Sequence, residues 1–366
     1  MTSTNQTISL YIGTYTDNQL PMEQRSQGIY HAQLDLASGA VTQVRPVAAG
    51  VNACFLVLTP DQRFLYAVAD TLTPDQNPGG VVGAFAISAV GGDLRLLNQT
   101  PAPGGRPSHV TIDATGRFVV TINYGQGSVA LYPVGEDGAV AMASHVVQHS
   151  GSGPNTARQA GPHAHQSTFA PDNRLVLVND LGIDKVMLYQ LDRAQARLIA
   201  HDPPWATVQP GAGPRHLAFH PHGDYVYIIG ELDATITAFR YDRAAGVLRF
   251  LQVVPTLPAG FRGENLCADI HVHPSGNFLY GSNRGHDSIA IFAINPHTGE
   301  LSPRGHQSSL GQTPRNFAID PTGVYLLAAN QKSGTIATFH IDPKEGALTP
   351  TGYVAAAPSP ACLKLI

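Results

Sequence analysis

The chain has 366 residues, 43% of them apolar, with 37 glycines and 28 prolines, so it fills a core, turns often and is not a disordered polymer. Its net charge of −4, from 22 basic and 26 acidic residues without a basic block, excludes a nucleic-acid footprint. No run approaches the ~18 apolar residues of a membrane span, and the start MTSTNQTISLYIG lacks the basic and apolar regions of a secretory signal. Three scattered cysteines, Cys54, Cys267 and Cys362, form neither a disulfide framework nor a zinc knuckle. A cytoplasmic, β-rich protein with no membrane or nucleic-acid partner is expected.

The first element is a strand, SLYIGTY (9–15), followed by a hairpin turning at Gly39 in LDLASGAVTQV. From there two hairpin types alternate. The first has two apolar strands around a turn of Pro or Ala with Asp, Ser or Gly: LVLTPDQRFLYAV (56–68), VTIDATGRFVVTI (110–122), STFAPDNRLVLVN (167–179), LAFHPHGDYVYII (217–229), IHVHPSGNFLYGS (270–282) and FAIDPTGVYLLAA (317–329). The second type turns at Gly92, Gly138, Ala196, Gly246, Gly299 and Gly346. Counted from Gly39, these turns lie 53, 46, 58, 50, 53 and 47 residues apart. The last element, ACLKLI (361–366), resembles the first strand of the first hairpin type but has no partner after it.

Two hairpins per period of about 51 residues make four antiparallel strands, and seven periods fill the chain. The predicted fold is all-β: a seven-bladed propeller forming a single domain over 1–366, with almost no helix. The opening strand lacks an inner partner and the closing strand an outer one, so the two are expected to share a blade and close the ring. The period is too long for WD40 repeats, and Trp205, the only tryptophan, is not followed by Asp.

Within each first hairpin, strand A starts and strand B ends on one face, beside the central channel. Five residues before the turn come Phe55, His109, Gln166, His216, Asp269 and Asn316, with Cys362 in the shared blade. One position earlier come Cys54, Ser108, His165, Arg215, Ala268, Arg315 and Ala361. The ends of B are Tyr15, Asp70, Tyr124, Asp180, Glu231, Arg284 and Gln331. A ring of solvated polar residues accounts for any one of these. It accounts less well for unlike groups in blades that otherwise repeat, which is the pattern of a small-molecule site. The pairing of 220 with 225 across the 221–224 turn sets 214 opposite 231, so Arg215 and Glu231 are expected side by side. His163 and His165 alternate along one strand, as do Asp269, His271 and His273, but neither group completes a metal shell, and no metal or other cofactor is expected. His220, His222 and His273 are expected to be turn and surface residues of the opposite face. No G-x-S-x-G or G-x-G-x-x-G motif occurs in a strand-to-helix setting.

Three segments carry a family resemblance: GAGPRH-x-x-FHP from Gly211, ADIH-x-x-P-x-G-x-x-LY from Ala268, and PR-x-F-x-x-D-x-x-G from Pro314 with the following Gln331-Lys332-Ser333. With LYIGTYT (10–16) they make the chain similar to the lactonase family of seven-bladed propellers, which includes bacterial 6-phosphogluconolactonases and is related to fungal carboxymuconate cycloisomerases. The resemblance implies hydrolysis of a sugar-acid δ-lactone, 6-phosphoglucono-1,5-lactone first among them. It implies catalytic roles for His165 (or His163), Arg215, Glu231 and Arg284; for lactone opening, His165 or Glu231 is the expected base and the two arginines the expected electrostatic stabilisers. His163, His216, Asp269, His271, Arg315, Gln331 and Lys332 are expected to bind substrate. One departure is that GENLCADIH carries Asn265 where relatives often have a basic residue. Alternative readings are an unphosphorylated sugar lactone, a cycloisomerase reaction, and a non-catalytic binding platform.

Overall fold

The computed structural model describes residues 7–16, 25–72 and 78–366. Its 28 strands form seven four-stranded antiparallel sheets, and no helix occurs among the described residues. Each first-type hairpin supplies the two inner strands and each second-type hairpin the two outer ones, as the repeat requires. The innermost strands touch in cyclic order, so the sheets are blades closed into a ring. No helix among the described residues is long and apolar enough to cross a membrane.

The blade that closes the ring has the order Pro360–Leu365, Thr7–Thr14, Gly28–Asp35, Val41–Ala49. Leu10 faces Leu365 and Ile12 faces Leu363, and Ser9 and Ile366 exchange backbone hydrogen bonds of 3.2 and 3.0 Å. The shared blade read from the sequence is present.

Alternation along each strand places apolar side chains on both faces of the inner strands, so the core lies between successive blades. Tyr227, Ile229, Ile236, Leu279 and Phe292 form one such layer, and Tyr280, Phe317, Leu326 and Phe339 another. A repeated polar bond locks neighbours together. Tyr11, Tyr66, Tyr227 and Tyr280 each donate a hydroxyl, at 2.8–2.9 Å, to the carbonyl of the turn glycine of the next blade: Gly92, Gly138, Gly299 and Gly346. The periodic glycines are therefore docking points as well as turns.

On the face away from the strand-A starts, His220 Nε2 bonds the Gly276 carbonyl at 3.1 Å and His273 Nε2 bonds that of Gly323 at 2.8 Å. These two histidines are turn residues, as expected, but they are buried staples between blades rather than surface groups.

Candidate active site

Strand A does not run straight into the channel mouth. At its start the A–B ladder carries a β-bulge in every blade. In the blade of Arg215, Phe219 pairs with Val226 and His216 with Ile229, but Pro214 pairs with Gly230. Arg215 is the extra residue, so the predicted pairing of 214 with 231 is displaced by one. Ser108, His165 and Arg315 occupy the same bulged place in their blades. A bulge re-aims a side chain, and here it separates two layers that the sequence alignment treats as one polar collection.

The upper layer walls a cleft of about 250 Å³. Strand-B ends supply Tyr15, Asp70, Tyr124, Glu231 and Arg284, bulges supply Ser108, His165 and Arg315, and Arg106 and Arg158 enter from loops. Four guanidinium groups thus face two carboxylates. Glu231 lies at the centre of the cationic group. Arg158 Nη2 donates to its Oε1 at 2.5 Å, while Arg215 Nε and Arg284 Nη2 donate to Oε2 at 3.0 and 2.9 Å. Arg215 is fixed further by a 2.5 Å bond from Nη1 to the Ala268 carbonyl.

Burial opposes the Glu231 charge, but Arg284, Arg215 and Arg158 outweigh it and hold the carboxyl at about 2. With both oxygens engaged, Glu231 is the anchor of an arginine cluster, a setting that suits a fixed anion better than a base. Arg215 is buried, its Nε and Nη1 engaged by Glu231 and the Ala268 carbonyl, and it lies beneath the cleft wall rather than in it. Arg284 and Arg158 retain exposure of 12% and 34% toward the cleft. His165 keeps a neutral imidazole, because burial and the neighbouring Arg215 push its pKa well down. Burial raises the pKa of Asp70, which accepts a 2.8 Å bond from Asn52 Nδ2. Arg315 donates to Tyr15 Oη at 3.0 Å and stacks over that ring.

The lower layer plugs the channel. His216 Nδ1 donates to Asp269 Oδ1 at 2.7 Å, and His271 Nε2 donates to Oδ2 at 2.9 Å. Asn316 Nδ2 also donates to Oδ2, and the Ile270 amide donates to Oδ1 at 3.0 Å. Gln166 Oε1 accepts the Leu217 amide at 2.5 Å and Asn316 Oδ1 the Leu363 amide at 2.7 Å. These side chains stitch strand A of one blade to strand A of the next. His216, Asp269 and His271, expected to bind substrate, are not part of the cleft wall.

The remaining expected residues scatter. His163 stacks on Tyr124 at 4.8 Å and its Nδ1 bonds the Tyr124 carbonyl at 3.1 Å, outside the cleft wall. Lys332 lines an adjoining cavity of about 440 Å³ that shares Arg284 and Leu266 with the cleft. Gln331 lines neither cavity, and its amide bonds the Thr313 carbonyl at 2.9 Å. Asp180 is not a mouth residue: it is buried, bonding His149 Nδ1 at 2.6 Å and the His163 amide at 2.8 Å. Among the described residues no group of three or more His, Cys, Asp and Glu side chains is arranged to hold a metal.

Sequence reasoning missed Arg106 and Arg158 because both lie on loops outside the repeat. One signal pointed to the second: the longest spacing, 58 residues between Gly138 and Ala196, contains the insertion that carries Arg158. Gln159 ties that insertion down through 2.8 Å bonds to the Leu181 carbonyl and Asp184.

Residues 9–365 match the family described as lactonase, 7-bladed beta-propeller. The chain belongs to this family. It is 37% identical over 311 residues to a 6-phosphogluconolactonase of Bacillus subtilis strain 168, covering 85% of this chain and 84% of that protein. A 6-phosphogluconolactonase of Formosa agariphila is 34% identical, with 85% and 86% covered. The solved structure of a periplasmic gluconolactonase from Pseudomonas aeruginosa superposes with a TM-score of 0.91 at 32% identity, covering 99% of each chain.

Proposed function

We propose that this lactonase-family chain hydrolyses a sugar-acid δ-lactone bearing a phosphate, 6-phosphoglucono-1,5-lactone, to the open-chain acid. The observation that carries the reading is the convergence of Arg106, Arg158, Arg284 and Arg315 on one small cleft to which the described residues bring only two carboxylates. Such a wall favours a substrate that arrives with negative charge and develops more of it during reaction. The names of the Bacillus and Formosa relatives support the same substrate.

In this mechanism His165 takes a proton from water as the water oxygen bonds to the lactone carbonyl carbon. Arg284 and Arg158 stabilise the tetrahedral oxyanion, held in place by Glu231 and, beneath it, Arg215. The C–O bond to the ring oxygen then breaks, and the imidazolium returns its proton to the leaving alkoxide. The new carboxylic acid ionises, so one proton is released per turnover. Arg106 and Arg315 hold the phosphate, supplying the charge absent at Asn265. Substrate-binding roles for His163, Gln331 and Lys332 are not part of this reading. A cytoplasmic location is, because a charged phosphate ester does not cross a membrane unaided.

A lactone panel followed by proton release tests the proposal. The phosphorylated lactone should exceed its unphosphorylated counterpart at least about 10-fold in kcat/KM, the effect of one charge-assisted contact. Equal turnover of both would favour the unphosphorylated substrate named for the Pseudomonas relative. Activity on a muconate alone would favour ring closure, and no turnover would favour a binding platform.

A further inference from the structure

Beneath the cleft the channel narrows to a neck of about 10 Å³, walled by Arg215, Arg315, Tyr15 and Ser108 and by two imidazoles, His165 and His216. That volume suits a single water, provided polar partners are present. The two rings are 5.2 Å apart between centroids and inclined at 66°, with no direct hydrogen bond between them. His165 is 5% exposed and His216 is 2% exposed. Buried His165 Nδ1 and His216 Nε2 have no hydrogen-bond partner among the described residues, and the mechanism above uses neither atom.

The state of His216 is fixed from below. Asp269 is held well under the usual carboxylate range by His271 and His216, so it is ionised and only accepts. His216 therefore carries its proton on Nδ1, and burial keeps the ring neutral, pushed down to about 4. Its Nε2 is then an acceptor facing the neck.

We infer that the neck binds one water molecule between His216 Nε2 and His165 Nδ1, and that His216 and Asp269 are positioning residues that set the His165 tautomer through it. The water donates one O–H to His216 Nε2, and its oxygen accepts the N–H of His165 Nδ1. Every proton in the chain then points toward the Asp269 carboxylate, the arrangement in which successive hydrogen bonds polarise one another in one direction. If the water donated to both rings, this alignment would break. With Nδ1 protonated, His165 Nε2 presents a lone pair, as a base requires. The logic is that of a carboxylate orienting a catalytic imidazole, lengthened here by a second imidazole and a water.

The inference rests on His165 as base in the proposed hydrolysis, but part of its test is independent of turnover. In wild-type protein, ¹⁵N-resolved NMR should show neutral His165 as the Nδ1–H tautomer, with a long-lived water cross-peak to that proton. An Nε2–H tautomer, or no bound water, would overturn it. His216→Phe keeps an aromatic ring beside Phe55 and His109 but removes the acceptor. It should lower kcat about 100-fold with KM within threefold of wild type, and shift His165 toward a tautomer mixture. Where that variant does not fold, His216→Leu, which also lacks the acceptor, takes its place. Wild-type kcat in a folded variant, or a loss confined to KM, would overturn the positioning role. Failure of wild type to turn over any lactone would sink the functional reading alone, because the tautomer and the water are read without substrate.

Discussion

Glu231 and its three arginines form a buried charge cluster rather than an exposed pair at the channel rim. A rim pair is worth ~0–1 kcal/mol, whereas removing one partner of a buried cluster costs about 3–5 kcal/mol. Glu231→Gln should therefore lower stability by that amount at neutral pH, read as a denaturant midpoint. The sign of the pH dependence follows from the depressed carboxyl. Its contribution is complete above the unfolded value of ~4.3 and is lost as pH falls through about 2. Wild type should lose stability across that window, and the variant should lose less. Arg106→Ala should raise KM for the phosphorylated lactone about 10-fold or more and leave that for the unphosphorylated one nearly unchanged; parallel changes would remove Arg106 from the phosphate site. Turnover should also survive exhaustive chelation, because Asp269 and His273 spend their polar atoms on protein partners, as His271 does its Nε2. At this scale the sequence exposed what strand register controls. Arg215 beside Glu231 followed from counting back along a hairpin. Arg158 and Arg106 did not, since loop geometry has no period, and His216 and Asp269 were placed one layer too high because a bulge is invisible in a two-residue alternation.

Among the hairpins, the outer turns were the most legible elements, since each needs a backbone conformation that glycine alone adopts without strain. Ala196 is the exception. It takes φ 47° where Gly39, Gly246 and Gly299 take 70–76°. Ala196→Gly should raise stability by about 0.5–1 kcal/mol, the left-handed strain relieved less the added chain entropy, seen as a higher denaturant midpoint at unchanged slope. The reverse change elsewhere should do more harm, because a Cβ on Gly299 would collide with the Tyr225 ring. The recurring bulge is the element-scale device that makes one repeat serve two purposes. At the bulge, strand A turns a side chain up into the cleft. After it, the same strand turns the next side chain inward to tie its neighbour. Blades that look alike in their apolar positions therefore differ where the bulge exposes them, which is where unlike residues accumulate.

The ring as a whole depends on its seam. Removing Pro360–Ile366 uncovers one edge of Thr7–Thr14 and takes Ala361, Cys362 and Leu363 out of the core. Their burial is worth about 5 kcal/mol, so the truncated chain should melt at least several degrees lower and lose the single cooperative transition; an unchanged melting curve would show that the ring does not need its closing strand. The architecture was legible in full because period, strand count and unmatched terminal strands are all properties of chain order. Chain order also has a consequence during synthesis. Of the strands of the ring, Thr7–Thr14 is made before the others and Pro360–Leu365 after them, so Thr7–Thr14 leaves the ribosome long before its inner neighbour exists. At ~5–20 residues per second, it waits about 20–70 s with one edge unpaired while six complete blades assemble behind it. A nascent ring therefore carries an open β-edge while all the strands between Thr14 and Pro360 are made, and the time taken to reach Pro360 sets how long that edge is available to other chains.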